Sequence, residues 1–355
     1  MDQPTTTASP LPVTLGLDLG LRRTQVCAID SSGAIVEERA VATSRDAISE
    51  LLERFPKSRI VLEASTSARW ITALAESSGH EVIVANPRNI PVVTANVRKC
   101  DRNDARLLAE LGQVKPQLLS PVQLRSDRHQ RVRTLLFARS QLVKQRTALT
   151  NLVRAEVRVL GFSLPSGAAK SFAEKMWPRI PGALRSSLGP IFEVLRTVTT
   201  QIDHYDAEVE RLSETEFPET AVLRQVHGVG PLIALAFVAT IGDPERFKKS
   251  RSVGAYLGLV PRMSQSGARN PTLSITKCGD HFMRSLLVSA ATRILGPFGQ
   301  DSDLRRHGER IATGGDKRAK AKARIAVARR LAVLLHRLLC TGEQYDPLRQ
   351  AAPAA

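Results

Sequence analysis

The stretch Val13-Thr14-Leu15-Gly16-Leu17-Asp18-Leu19-Gly20 decides how the N-terminal part of this chain is read. It is a short apolar strand that delivers one carboxylate near its end and then turns. An aspartate between Leu17 and Leu19 is disfavoured by strand propensity, and burying its charge is costly unless it is paired or holds a metal. The plain alternative is an exposed Asp on the polar face of an alternating strand. Working outward, Thr24 to Asp30 reads as a second strand, Ser31-Ser32-Gly33 as a tight turn and Ala34 to Val41 as a third strand, so Asp18 opens a meander.

Further carboxylates follow. Ser44 to Phe55 places Ile48, Leu51 and Leu52 at helical spacing behind a Ser cap. Arg59 to Glu63 is a short apolar strand ending in Glu63, Ser67 to Ser78 an amphipathic helix, and Glu81 to Ala85 a strand stopped by Asn86-Pro87. The order β-β-β-α-β-α-β, with acids ending the first and fourth strands, resembles the ribonuclease-H-like fold. In that fold these two strands are neighbours, so Asp18 and Glu63 are expected side by side. Lys99-Cys100-Asp101-Arg102-Asn103-Asp104-Ala105 then leads into a helix, with Asp101 and Asp104 three apart on one face. Alone, such a first turn compensates the helix dipole. Four converging carboxylates repel one another unless divalent cations neutralise them, and hard oxygen donors suit Mg²⁺ or Mn²⁺. Such a site performs phosphoryl transfer.

Composition points the same way. The 355 residues carry 51 Lys+Arg against 34 Asp+Glu, a net +17, which calls for a polyanionic partner, nucleic acid above all. The chain has no run of 18 apolar residues, and its basic helices lack the aromatic face of an interfacial anchor, so no membrane role is expected. Cys27, Cys100, Cys278 and Cys340 show neither zinc spacing nor a disulfide framework, which fits a reducing cytoplasm. Residues 1–12, rich in Thr and Pro, read as a disordered tail.

From Ser126 to Leu160 there is neither Pro nor Gly, and Leu135, Ala138, Leu142, Leu149, Leu152 and Val159 fall on a coiled-coil-like stripe. The other faces are basic, with Arg128, Arg131, Arg139 and Lys144 as candidate nucleic-acid contacts. After a Pro/Gly-rich break (Pro165 to Pro190), Ile191, Leu195, Val198, Ile202, Tyr205, Val209 and Leu212 repeat as a heptad seam. The two segments predict an antiparallel helical arm for self-association or for gripping nucleic acid; an intramolecular hairpin with a solvated charged face is the alternative. Val226-His227-Gly228-Val229-Gly230-Pro231 before an apolar helix reads as a helix-hairpin-helix-like turn, with Gly228 and Gly230 offering backbone N–H groups to a phosphate. Ser264-Gln265-Ser266-Gly267 lies in a polar loop among Arg262, Arg269 and Lys277, which suits a phosphate near Ser266. No His or Asp marks an acyl-transfer triad.

These motifs, in this order over residues 13 to 300, resemble the DEDD transposases of the insertion sequence 110 family, recombinases related to the Piv DNA invertase. The resemblance rests on GLDLG around Asp18, LEAS around Glu63, KCDRNDA around Asp101 and Asp104, the GVG hairpin, YLGLVPR (256–262) and the Ser-Gly pair at Ser266. Relatives often read Ser-Ser-Gly-Gly where this chain has Gln265-Ser266-Gly267-Ala268, so Ser264 is the second candidate. Thr is common where Cys100 stands.

The resemblance implies an α/β plus α architecture. A tail (1–12) precedes a RuvC-like domain (13–120), a helical coiled-coil arm (121–220), a mainly helical transposase domain (221–300) and a basic helical C-terminal tail (301–355). It implies a site-specific DNA recombinase that moves its own element, with Mg²⁺ or Mn²⁺ at Asp18, Glu63, Asp101 and Asp104 and with Ser266 attacking a DNA phosphate. It further implies a homo-oligomer, dimer or tetramer, joining the RuvC-like domain of one subunit to the serine domain of another, a structured element-encoded guide RNA, and a cytoplasmic, nucleoid-associated protein. The basic run Lys317 to Arg330 suits such a load. Three rivals stand beside this reading: a junction-resolving nuclease of the same fold using water, a non-catalytic nucleic-acid-binding protein, and an actin-like ATPase. The last lacks a second Gly-rich phosphate loop.

Overall fold

A computed structural model describes residues 13–86, 101–263 and 273–349. The chain divides into two compact units, 1–124 and 125–355. In the first, β1 (Val13–Leu19), β2 (Arg23–Asp30) and β3 (Ile35–Ala42) form the expected meander, joined by a turn in which Asp30 Oδ1 accepts from Ser32 N and Ala34 N. Then come α1 (Arg45–Arg54), β4 (Arg59–Glu63), α2 (Ala68–Ser77), β5 (Glu81–Ala85) and α3 (Asp101–Val114). Among the described residues the sheet has the order β3-β2-β1-β4-β5, with β1 parallel to β4 and β4 parallel to β5.

The period-two alternation of β1 gives the sheet two different faces. Leu15 and Leu17 pack with Ile60, Leu62 and Val84 against α1 and α2, burying Ile48, Leu51, Leu52 and Ile71. Each such side chain contributes about 1.5–3 kcal/mol. On the other face lie Cys27, Ile29, Val61, Ile83 and Ala85, covered by Ala105, Leu108 and Ala109 of α3. Gly16 lies on this face because α3 runs directly over it. A Cβ there would overlap the Ala105 carbonyl oxygen and sit 2.6 Å from Ala109 N.

The second unit is helical: α4 (Asp127–Val159), α5 (Phe172–Met176), α6 (Gly182–Thr215), α7 (Thr220–Arg224), α8 (Pro231–Ile241), α9 (Arg251–Tyr256), α10 (His281–Ile294), α11 (Asp303–Ala312) and α12 (Lys317–Thr341). The apolar α8 is wrapped by α10 and α12 in one large core that also takes Val132 and Leu136 of α4 and Val209 and Leu212 of α6. The far ends of α4 and α6 enclose a second core, where Val153 and Val157 meet Phe172, Met176, Leu188 and Phe192.

Two sequence expectations change here. The stripe expected on α4 is not its buried face: Leu152 and Val159 are exposed, whereas Val132, Leu136, Val153 and Val157 are buried. At about 100° per residue, these four positions fall within one arc of about 100°, turned about 100° around the axis from the expected stripe. Each end of that buried face packs into its own core. The expected break at Pro165 to Pro190 is also shorter, since α6 already begins at Gly182 and carries Pro190 within its helix. The seam on α6 does bury Leu195, Val198, Ile202, Val209 and Leu212.

Candidate functional site

In the first unit, the ladder between β1 and β4 runs from Thr14↔Arg59 to Leu17↔Leu62, so Asp18 and Glu63 stand one step further on, level with each other on adjacent parallel strands. Alternation puts Asp18 on the face of Gly16 and Glu63 on that of Val61, the face covered by α3. The helix direction follows from its far end. Gln113 Nε2 donates to Asp30 O at 2.6 Å and Arg59 Nη1 donates to Gly112 O at 3.0 Å. Asp30 pairs with Val13 and Arg59 with Thr14, so the end of α3 lies over the beginnings of β1 and β4. Its start, with Asp101 and Asp104, therefore lies toward the strand ends that carry Asp18 and Glu63. Asp104 is 7% exposed, and neither Asp104 nor Asp101 has a side-chain hydrogen bond or ion pair among the described residues. Arg102 and Arg106 of the same helix pair instead with Glu38 and Glu110.

Among the described residues no three His, Cys, Asp or Glu side chains are gathered closely enough to serve as a ready ligand set. The donors are nonetheless all carboxylates, one of them, Asp104, buried without a hydrogen-bond or ion-pair partner among the described residues. Their chemistry fits a hard divalent cation. Cys27, beneath the same helix, is not a donor for it: burial first, and Glu38 next, push its thiol up to about 11, so it stays protonated at neutral pH.

In the second unit, the Gly-rich hairpin packs against the end of α10. Gly228 has φ +87° and its Cβ position lies 3.2 Å from Ile294 Cγ1 and 3.3 Å from Ala290 O, so a side chain there meets both strain and a wall. Gly230 caps α8 with its backbone alone. Beyond α9, residues 258–262 and 274–277 run antiparallel as a pair of stems: Arg262 N donates to Ser274 O, Thr276 N to Val260 O at 2.8 Å and Lys277 N to Gly258 O at 3.1 Å. Lys277 takes a left-handed φ of +55°, uncommon for a residue with a side chain. Ser264, Ser266 and Arg269 lie outside the described residues.

The basic candidates on α4 divide. Arg131 and Lys144 are exposed, Arg139 is paired with Asp206 at 2.5 Å, and the Arg128 guanidinium sits 3.8 Å from the Phe217 ring centroid. Arg318, Lys322, Arg329 and Arg330 of the basic run and the candidate Lys277 line, with Arg251, a groove of about 1530 Å³ along α12 that the sequence reading did not foresee, among acids that include Asp303, Asp316 and Glu343. Sequence reading missed a cluster in which Arg125 and Arg133 meet Asp280. The partners are more than a hundred positions apart, so no local pattern could announce them. Among the described residues no helix is long and apolar enough to cross a membrane.

Comparison with known proteins places both units. Residues 15–160 match the DEDD transposase model of the insertion sequence 110 family, and residues 220–307 match the family described as "Transposase IS116/IS110/IS902 family". The chain is 29% identical over 340 residues to the "Transposase for insertion sequence element IS1111A" of Coxiella burnetii, covering 93% of this chain and 90% of that one. It is 28% identical to a "Probable family 20 transposase" of Pseudomonas aeruginosa, covering 94% and 98%. It is 24% identical to the "Pilin gene-inverting protein" of Moraxella lacunata, covering 81% of each. With both family matches in the expected order along the chain, the protein belongs to the DEDD transposases of the insertion sequence 110 family.

Proposed function

We propose that this transposase is a site-specific recombinase whose first unit is a RuvC-like metal-dependent domain and whose nucleophile is Ser266. The observation that carries the reading is the approach of Asp18, Glu63, Asp101 and Asp104 to one end of the sheet, set by the β1–β4 register and the direction of α3. DEDD transposases are in general metal-dependent. Asp18, Glu63, Asp101 and Asp104 would hold Mg²⁺ or Mn²⁺, which when bound supplies Lewis-acid activation of a phosphodiester and its nucleophile.

The protein's own part is exchange of one ester for another. The Ser266 hydroxyl gives up its proton as Oγ bonds to phosphorus, one P–O bond of the DNA breaks, and the released strand hydroxyl takes a proton. A strand hydroxyl then reverses the exchange on the new partner, so the phosphodiester count is conserved and no nucleoside triphosphate is needed. A serine hydroxyl is a poor nucleophile at neutral pH, and Ser266 has no base beside it in sequence, so activation must come from elsewhere. We assign that role to the acidic set of another subunit in a dimer or tetramer on DNA. The basic groove along α12 and the arm's exposed Arg131 and Lys144 would carry nucleic acid, including a guide RNA from the element.

The test mixes Ser266→Ala with Asp18→Asn and assays recombination and covalent protein–DNA adducts. Each variant alone should be inactive, and the mixture should regain part of the activity. Adducts formed by Ser266→Ala alone would show that the nucleophile is another residue, with Ser264 next in line. Metal-dependent cleavage with no adduct in the unaltered protein would favour the nuclease that uses water.

A further inference from the structure

Glu38 is an acid on the helix-covered face of the sheet that the recombination chemistry does not use. It stands opposite Cys27 in the β2–β3 ladder, and Cys27 stands opposite Gly16, so all three lie on the face over which α3 runs. The Glu38 side chain is 13% exposed, and a carboxylate at that depth in mid-strand is costly without a partner. Its partner is Arg102, in the first turn of α3. Arg102 Nε donates to Glu38 Oε2 at 2.7 Å, and Nη2 makes a second, closer contact with the same oxygen.

The far end of α3 is fixed by Gln113 and by the carbonyl of Gly112, and its middle by the packing of Ala105, Leu108 and Ala109. The first turn buries no apolar side chain that would fix its roll, since Asp101, Arg102 and Asn103 are exposed and the buried Asp104 is polar. At about 100° per residue, Arg102 lies within about 40° of the midline between Ala105 and Ala109, the side of the helix over Cys27 and Ile29 of β2. Asp104 lies within about 40° of Leu108, the side over Val61 of β4 and Ile83 of β5. The two positions are about 160° apart, so a link from Arg102 to β3 holds one flank of the turn while Asp104 occupies the other. A roll of about 10° moves a carboxylate about 5 Å from the helix axis by roughly 1 Å.

We propose that Glu38 is a positioning residue: through Arg102 it sets the roll of the first turn of α3 and so turns Asp104 toward the strand ends that carry Asp18 and Glu63. The pair adds little to overall stability, because Arg102 is 67% exposed and water screens such a contact. Its effect is geometric, since misplacing a reacting group by about 1 Å can cost about a hundredfold in rate. The inference rests on the reading of Asp18, Glu63, Asp101 and Asp104 as one metal-dependent set, but not on the identity of the nucleophile.

The test compares Glu38→Gln, Arg102→Gln and the double replacement in the full chain. It measures Mg²⁺-dependent recombination, affinity for a labelled DNA duplex and, with no metal added, amide hydrogen exchange along α3. Each single replacement should lower recombination at saturating DNA by about ten- to a hundredfold, with duplex affinity nearly unchanged. The double replacement should lose no more than either single one, because both remove the same link. Exchange should quicken at residues 105–107 and stay as it was at 110–113, nearer the anchored end. Glu110→Gln, which removes only the pairing with Arg106 inside the helix, should leave recombination and affinity unchanged. Unchanged exchange at 105–107 in Glu38→Gln overturns the proposal, and so does normal recombination by that variant while Asp104→Asn is inactive. Losses that multiply in the double replacement also overturn it, because Glu38 and Arg102 would then act separately. So does a fall in duplex affinity that accounts for the whole loss in Arg102→Gln, since Arg102 would then be a phosphate contact. Failure of the metal reading looks different: Asp104→Asn would recombine normally, while quickened exchange at 105–107 would still support the link.

Discussion

At the scale of single residues, two positions are decided by contacts that the chain cannot rearrange. Gly16 lets the backbone of α3 lie against β1, and the atoms a side chain would meet are main-chain atoms of Ala105 and Ala109. Gly16→Ala should therefore cost about 1–3 kcal/mol or more by overpacking and lift α3, with Asp101 and Asp104, off the sheet. A fall in the urea midpoint together with lost metal-dependent activity checks this, and a stable, active Gly16→Ala protein would refute it. His80 is 7% exposed, its Nδ1 accepts from Ser58 N, and burial holds its imidazole below the ordinary value of 6.5. The folded state therefore prefers the neutral ring, while the unfolded chain protonates near pH 6.5. The stabilisation is complete above that pH and is lost progressively as pH falls toward the folded-state value. Thermal melts of the unaltered protein and His80→Asn should converge as pH drops from 8 to 5 (both roughly bracketing the His range); a constant gap would count against the assignment.

At the scale of elements, α4 and α6 are held at each end by a different core, which makes the far end a separable unit of stability. Phe192 is fully buried there, against Phe172 and Trp177. Phe192→Ala should cost about 3–5 kcal/mol of local stability. Hydrogen exchange should then quicken at Val153, Val157 and residues 172–195 while the core around α8 keeps its protection. Equal loosening throughout would mean that the second unit melts as one piece.

At the scale of the whole molecule, a net +17 makes nucleic-acid binding chiefly a matter of counterion release. Arg251, Lys277, Arg318, Lys322, Arg329 and Arg330 line one groove, and none of them has an ion pair among the described residues. Duplex affinity should fall steeply with salt, and replacing Arg318, Lys322 and Arg329 with Gln should flatten the log–log slope by up to about three. A slope unchanged by the triple replacement would remove this groove from the binding surface.

The sequence alone determined what depends on neighbours in the chain. The meander, the strand ending in Glu63, the Ser44 cap and the seam on α6 follow from period, turn residues and capping, all of which act over a few positions. It also marked Asp18, Glu63, Asp101 and Asp104, because acids are conspicuous at the ends of apolar strands and in the first turn of a helix. Their approach to one end of the sheet needed the parallel pairing of β1 with β4 and the direction of α3, and that direction is visible only in contacts such as Gln113 to Asp30. The buried face of α4 was misread from its spacing, because burial there is decided by two separate cores supplied by distant segments. The meeting of Arg125 and Arg133 with Asp280 was illegible for the same reason: the partners lie more than a hundred positions apart, and only packing of the helices brings their charges together.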